Sequence, residues 1–233
     1  MQVKLVSHSI PTEEYRIQGI EDTQDLVAFC ARVSNPGNQT NKKTADKLIQ
    51  YLMKHDHWSP LEMASACVEI TTTRDIARQI LRHRSFSFQE FSQRYAEPDK
   101  ELAGAFVQRE ARMQDPKNRQ NSIPITSDSA HMNPDQIEMM TDWQRRQVSV
   151  INAAKTAYDW AIEQGIAKEQ ARAVLPEGLT VSRLYMNGTL RSWVHFIELR
   201  SGNGTQKECS EVAVACAKAL EPIFPMIMDF VQK

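Results

Sequence analysis

Between Ser65 and Arg82 the hydrophobic period changes without a break. In "SACVEITT", Ala66, Val68 and Ile70 alternate with Cys67, Glu69 and Thr71, the two-residue period of a strand. Directly afterwards Ile76, Ala77, Ile80 and Leu81 recur at helical spacing, which predicts a helix over about 74–82. Thr72 with Asp75 three residues on resembles a capping arrangement at the junction. A strand feeding straight into an amphipathic helix requires sheet and helix to share a core. The chain therefore reads as α+β, a single helix-rich domain over 1–233 around a small, mainly antiparallel sheet.

The rest of the pattern is consistent with this. "QVKLVS" alternates and predicts a first strand. Thr23 can cap a helix to about 33, and Asn41 can start another that carries Leu48, Ile49, Leu52 and Met53 on one side and ends at "HDHWSP". Segment 97–131 is polar and irregular and reads as a long loop with one strand near 105–113. Asn133-Pro134 opens a long helix to about 164, with Val148, Ile151, Ala154, Tyr158 and Ile162 on one stripe and Gly165 as its stop. A short helix over about 168–175 ends before Pro176. Leu190, Trp193, Val194 and Ile197 mark a further helix, and a last one covers about 206–220.

Composition excludes several classes. A net charge of −1 creates no global field for nucleic acid or an acidic membrane. No run of about 20 apolar residues exists to span a membrane. "MQVKLVSHSIP" lacks the basic-then-apolar order of a signal peptide. Cys30, Cys67, Cys209 and Cys216 form no CxxC pair and read as reduced, small hydrophobes in a cytoplasmic setting. There is no GxSxG, P-loop or GxGxxG. His55 and His57 stand only two residues apart with no HExxH or Cys partner, so no metal site is expected.

The chemistry is concentrated in "RHRSFSFQEFSQRY", residues 82–95. It combines Arg82, His83, Arg84 and Arg94 with three serines and three phenylalanines. Arg74, Arg78 and Arg82 share a helix face, and Gln79 converges on Arg82 and His83. One reading is a basic helix end complementing the macrodipole. Yet Arg82, His83 and Arg84 are consecutive and point different ways. The other reading is a site for a planar, phosphorylated ligand, because guanidinium forks match phosphate and serine hydroxyls add short hydrogen bonds. Two further polar groups are candidates. Arg191 and His195 lie opposite an apolar helix face with Arg200 at its end, and Arg172 precedes "VLP".

These residues carry a resemblance. "RHRSFSFQEFSQR" resembles the RHRxxSxNxxSxR signature of the flavin-dependent thymidylate synthases, with Gln89 in place of the family's Asn. "ARVS" at 31–34, "LIQYLMKHDHWSPLEM" at 48–63, "ARAVLP" at 171–176 and "RSWVHFIELR" at 191–200 are similar to family blocks in the family order. The resemblance implies conversion of dUMP to dTMP with FAD as cofactor, methylenetetrahydrofolate as carbon donor and NADPH as reductant. It also implies a homotetramer whose active sites are shared between subunits.

By that resemblance Gln79, Arg82, Glu90, Phe91, Ser92, Gln93, Arg94 and Arg172 would hold dUMP. Ser59, Arg82, His83, Arg84, Glu90, Thr189, Arg191 and His195 would contact FAD, Thr189 standing where the family has Asn. Arg200 would lie against the pyrimidine and favour ionisation at N3, the catalytic role. Two rivals predict differently. A nucleic-acid module would bind in a steeply salt-dependent way, and an inactive relative would bind nucleotide without turnover.

Overall fold

The structure is a computed structural model that describes residues 1–102, 104–125 and 132–232. Along the chain run β1 (Gln2–His8), α1 (Glu13–Ile17), α2 (Thr23–Ala31), α3 (Ala45–Lys54), β2 (Ser65–Thr73), α4 (Arg74–Ile80), β3 (Ser87–Glu90) and α5 (Pro98–Glu101). They are followed by β4 (Arg112–Gln114), β5 (Ser122–Pro124), α6 (Pro134–Glu163), α7 (Lys168–Ala171), β6 (Val181–Thr189), α8 (Leu190–Ser201) and α9 (Lys207–Leu220).

Four strands form an antiparallel sheet in the order β1-β2-β6-β3, and β4 pairs with β5 apart from it. The register sets one apolar face. Ala66, Val68, Ile70 and Thr72 of β2 stand opposite Gly188, Met186, Leu184 and Ser182 of β6, and all eight are buried. Helices α8 and α9 cover that face. Leu190, Trp193, Val194 and Ile197 of α8 are fully buried, as are Val212, Ala213, Cys216 and Leu220 of α9. The Trp193 indole N–H donates to the Ala66 carbonyl at 3.0 Å, which ties the helix to the strand beneath it.

One close approach positions the arginine-rich segment. Phe86, just before β3, packs its ring edge-to-face on Trp193 at 4.8 Å between centroids. It also covers Gly188, where a Cβ would come within 2.4 Å of the Phe86 ring. Glycine there lets the ring lie flat on the central strand.

The α+β expectation holds, with local differences. The helix expected from Thr23 is capped by Asp22, whose carboxylate accepts from the Asp25 N–H at 2.8 Å. Thr23 is buried instead and donates to the Ser9 carbonyl at 3.0 Å. The helix expected from Asn41 begins at Ala45 after a 3-10 turn at Lys42–Thr44. Thr73, not Thr72, is the residue before α4, the last paired residue of β2, and its hydroxyl donates to the Asp75 carboxylate at 2.6 Å. That helix ends at Ile80, so the first residues of "RHR" lie in the following turn. In place of a strand over 105–113 there is an isolated bridge from Phe106 to Thr180 and then β4. The short helix after Gly165 is α7 followed by a 3-10 turn at Arg172–Val174. On α6, Ala154 and Tyr158 are buried while Val148 is exposed; the helix lies outside the main core, and its second half packs Tyr158 and Ala161 with Ala171 in a small separate cluster. Residues 103 and 126–131 of the expected loop lie outside the described residues.

Candidate active site

The turn after α4 separates the three consecutive basic residues. The His83 N–H bonds to the Ile80 carbonyl at 3.1 Å, and Phe86 N–H to the His83 carbonyl at 3.3 Å. His83 is thereby carried inward, edge-to-face against Phe196 at 5.0 Å. Arg82 and Arg84 remain exposed. Neither makes an ion pair or a side-chain hydrogen bond with a described residue.

The inward imidazole meets the end of α8. Arg200 donates from Nε to His83 Nε2 at 2.8 Å and from Nη2 to the Gln79 carbonyl at 3.4 Å. An acceptor Nε2 requires the ring to be unprotonated there. Burial and the Arg200 charge lower the His83 pKa from 6.5 to about 4, so the ring is neutral at physiological pH. Arg200 has no carboxylate partner among the described residues. Its position is held by neutral acceptors and its charge is left unneutralised. Gln79, one helical turn before His83, bonds through its side chain to Gln206 at 2.8 Å.

The other expected residues fall into three separate groups. Thr189 caps α8, its Oγ1 accepting from the Ser192 N–H at 3.3 Å. Arg191 pairs with Glu62 at 2.5 Å, beside Ser59 on the 3-10 turn Ser59–Met63. His195 lies one turn further on, edge-to-face with Trp58 at 4.7 Å. At the far end of β3, Glu90 accepts from Ser182 Oγ at 2.9 Å and faces the buried Arg74 at 3.7 Å. Beyond it Arg94 pairs with Glu169 at 3.2 Å, and Arg172 Nε donates to the Glu169 carbonyl at 3.3 Å. Gln93 is buried, and its Nε2 has no partner among the described residues. Phe91 and Ser92 are half-buried between them.

Within one chain, then, Gln79, His83 and Arg200 converge, whereas Arg94 and Arg172 gather elsewhere with Glu169. No hydrogen bond or ion pair among the described residues joins the two groups. Glu90 faces Ser182 and Arg74 rather than the guanidinium of Arg82. Sequence reasoning missed four partners, Gln206, Trp58, Ser182 and Glu169. Only Trp58 carried a signal, as an aromatic inside "HDHWSP".

All four thiols are pushed up by burial, Cys216 most strongly. None offers a ready thiolate near this cluster.

The family model "Thymidylate synthase complementing protein" matches residues 17–226. The chain is 43% identical over 229 residues to the flavin-dependent thymidylate synthase of Synechocystis sp., covering 97% of each chain. It is 44% identical over 227 residues to a Paramecium bursaria Chlorella virus 1 protein called "Probable flavin-dependent thymidylate synthase", again covering 97% of each. Its fold matches a UMP/dUMP methylase from Streptomyces cacaoi, crystallised with 5-Br dUMP, at a TM-score of 0.75 and 26% identity over 98% of this chain and 93% of the other. The motif blocks, the sheet with its two covering helices and these full-length likenesses agree: the chain belongs to the thymidylate synthase complementing family, the flavin-dependent thymidylate synthases.

Proposed function

We propose that this chain methylates dUMP reductively to dTMP, with FAD as its flavin, methylenetetrahydrofolate as carbon donor and NADPH as reductant. The observation that carries this reading is the Arg200–His83 pair: a half-buried guanidinium, held at 2.8 Å by a neutral imidazole, with no carboxylate among the described residues to quench it. Such a cation lowers the cost of negative charge on an adjacent pyrimidine imide. Loss of the N3 proton makes C5 nucleophilic, so no protein thiol is required for carbon–carbon bond formation. This accords with four thiols all held in their protonated form by burial.

The residues fit a flavin dinucleotide by their chemistry. Arg82 and Arg84 are exposed and uncommitted among the described residues, which suits a diphosphate. Ser59, Thr189, Arg191 and His195 add donors and a ring on the neighbouring faces of the 3-10 turn and α8. The flavin, when bound, would supply the hydride that completes the methyl group. Arg94, Arg172, Ser92 and the unpartnered amide of Gln93 form a second polar group suited to the nucleotide phosphate and sugar. Because this group is not joined to Arg200 in one chain, we assign the complete site to two subunits of a homotetramer, each giving one group.

Arg200→Ala tests this directly. The purified variant is expected to keep its flavin and to lose at least about a hundredfold in kcat, the scale of removing one preorganised charge at a developing anion. Near-wild-type turnover would remove Arg200 from this role. Wild-type protein that neither binds FAD nor makes dTMP when all three substrates are supplied would overturn the reading as a whole.

A further inference from the structure

A cavity of about 1290 Å³ opens between α6, the β4–β5 pair and the loop that follows α8. It is roomy beside the roughly 300–1,000 Å³ usual for small-molecule sites. No residue assigned above to dUMP or FAD lines it, yet it adjoins them. Gln206 is part of its wall and is the residue that holds Gln79, while Ser201, next to Arg200, lines it too.

The charges of the wall are unevenly used. Among the described residues its carboxylates are all engaged: Asp75 and Glu208 by Arg109 at 2.8 and 3.1 Å, Glu110 by Arg112 and Lys207 at 2.9 and 2.7 Å, and Glu211 by Lys207 at 3.7 Å. Two guanidiniums of the wall, Arg119 and Arg146, have no ion pair or side-chain hydrogen bond among the described residues. A cavity whose acids are neutralised and whose spare charges are guanidiniums favours an anion, phosphate above all.

The same wall holds a rigid aromatic surface. Trp143 is 42% exposed, but its indole N–H is tied to the Arg109 carbonyl at 3.0 Å. Gln147, one turn on and buried, accepts from the Arg109 N–H at 2.7 Å and donates to its carbonyl at 2.9 Å. The Arg109 backbone is thus clamped from both sides, and the indole orientation with it. Met139 and Val150 lie along the same stripe of α6. A large ring fixed by hydrogen bonds and left open to a cavity is a stacking platform, and Arg146 follows it by one turn on the same helix.

We propose that this cavity binds the phosphorylated adenosine half of the reductant, its purine on Trp143 and its 2′-phosphate between Arg119 and Arg146. The inference rests on the proposed use of a reduced nicotinamide dinucleotide. It assigns to that substrate a site distinct from those of dUMP and FAD, reaching the flavin past Gln206.

The test is binding of 2′,5′-ADP to the FAD-loaded full chain, followed by calorimetry and tryptophan fluorescence. The expected result is saturable binding that quenches fluorescence and is not displaced by dUMP. Trp143→Leu should remove the quench. Arg119→Ala combined with Arg146→Ala should weaken binding at least tenfold and raise KM for NADPH at least tenfold, with KM for dUMP and kcat at saturating reductant unchanged. Absence of 2′,5′-ADP binding to wild type, or unchanged binding and KM in the double variant, would refute the assignment. So would displacement by a γ-glutamyl peptide at lower concentration than by 2′,5′-ADP, which would make this a carboxylate site for the folate tail. Chemical reduction by dithionite separates the two readings: dTMP formation by dithionite-reduced double variant leaves the proposed function standing even where the cavity assignment falls.

Discussion

Gly188→Ala is a small change with a large expected effect. Gly188 is not among the glycines at positive φ, so alanine is compatible with the backbone, and within a strand it is ordinarily favoured by roughly 0.5–1 kcal/mol. The cost lies across the contact. The new Cβ would stand 2.4 and 2.5 Å from two atoms of the Phe86 ring, more than 1 Å inside an ordinary carbon contact of about 3.5–4.0 Å. Phe86 cannot yield easily, because Trp193 and Phe196 hold it at 4.8 and 5.9 Å. Overpacking of this kind costs about 1–3 kcal/mol, and the upper end is expected here. Removing the ring should reverse the sign. In a Phe86→Ala background, itself destabilised by about 3–5 kcal/mol, Gly188→Ala should be neutral or slightly stabilising. Urea unfolding of the four proteins closes a double-mutant cycle, with an expected coupling of at least about 2 kcal/mol. Because Phe86 N–H bonds to the His83 carbonyl, the single variant should also displace His83 and lower turnover. Additive effects within about 0.5 kcal/mol would show that Gly188 is not there for the ring.

Two other perturbations probe the packing around Arg200. The His83 pKa is about 4 in the fold against 6.5 unfolded, so the unfolded chain binds the extra proton between those values. Stability from this group is complete above about pH 6.5 and is lost as pH falls towards 4. With screening by solvent at this half-buried ring the loss should be about 1–2 kcal/mol, read as the difference in urea midpoints between wild type and His83→Asn at pH 7 and pH 5. An equal pH response in both proteins would contradict it. Trp193→Phe removes the buried indole donor to Ala66 and should cost about 2–3 kcal/mol through the unpaired carbonyl and the lost volume; a loss below about 1 kcal/mol would mean the carbonyl finds another partner.

What could be read in the sequence follows from how one-sided each element's environment is. Helix α8 was legible because Leu190, Trp193, Val194 and Ile197 are all wholly buried while His195 and Leu199 face outward. β2 was legible for the same reason. β6 was not, although it is the strand to which β2 and β3 both pair. Its inward positions are Ser182, Leu184, Met186 and Gly188, only two of them large and apolar, and the need for Gly188 arises only from the Phe86 ring across the sheet. β3 was hidden by being a four-residue edge strand whose Ser87 and Gln89 point to the exposed face. At the candidate site, residue types were legible and groupings were not. Arg82 and Arg94 look like one cluster at twelve residues' separation, but β3 lies between them and delivers Arg94 to Glu169. Likewise the neutral state of His83 depends on burial and then on Arg200, 117 residues away, a relation no local pattern encodes.

The same geometry accounts for the one departure from the family signature. Gln89 pairs with Tyr185 across β3 and β6, on the face opposite the half-buried Phe88 and the buried Met186. Tyr185 is itself exposed, its hydroxyl donating to Glu69 at 2.8 Å. Gln89 is exposed and makes no side-chain hydrogen bond with a described residue. The position is therefore tolerant of arm length within a single chain, since neither a core contact nor a buried hydrogen bond depends on it. Gln89→Asn should leave stability within about 0.5 kcal/mol, the range for substitutions away from buried features, and kcat within about twofold. A clear loss of either would carry its own meaning. Stability falling with dilution would place this outer sheet face at a subunit contact, whereas kcat falling at constant stability would place the Gln89 carboxamide on a ligand bound from the neighbouring chain. The tolerance is a property of the isolated chain, and comparing unfolding across a range of protein concentrations is what decides whether it survives assembly.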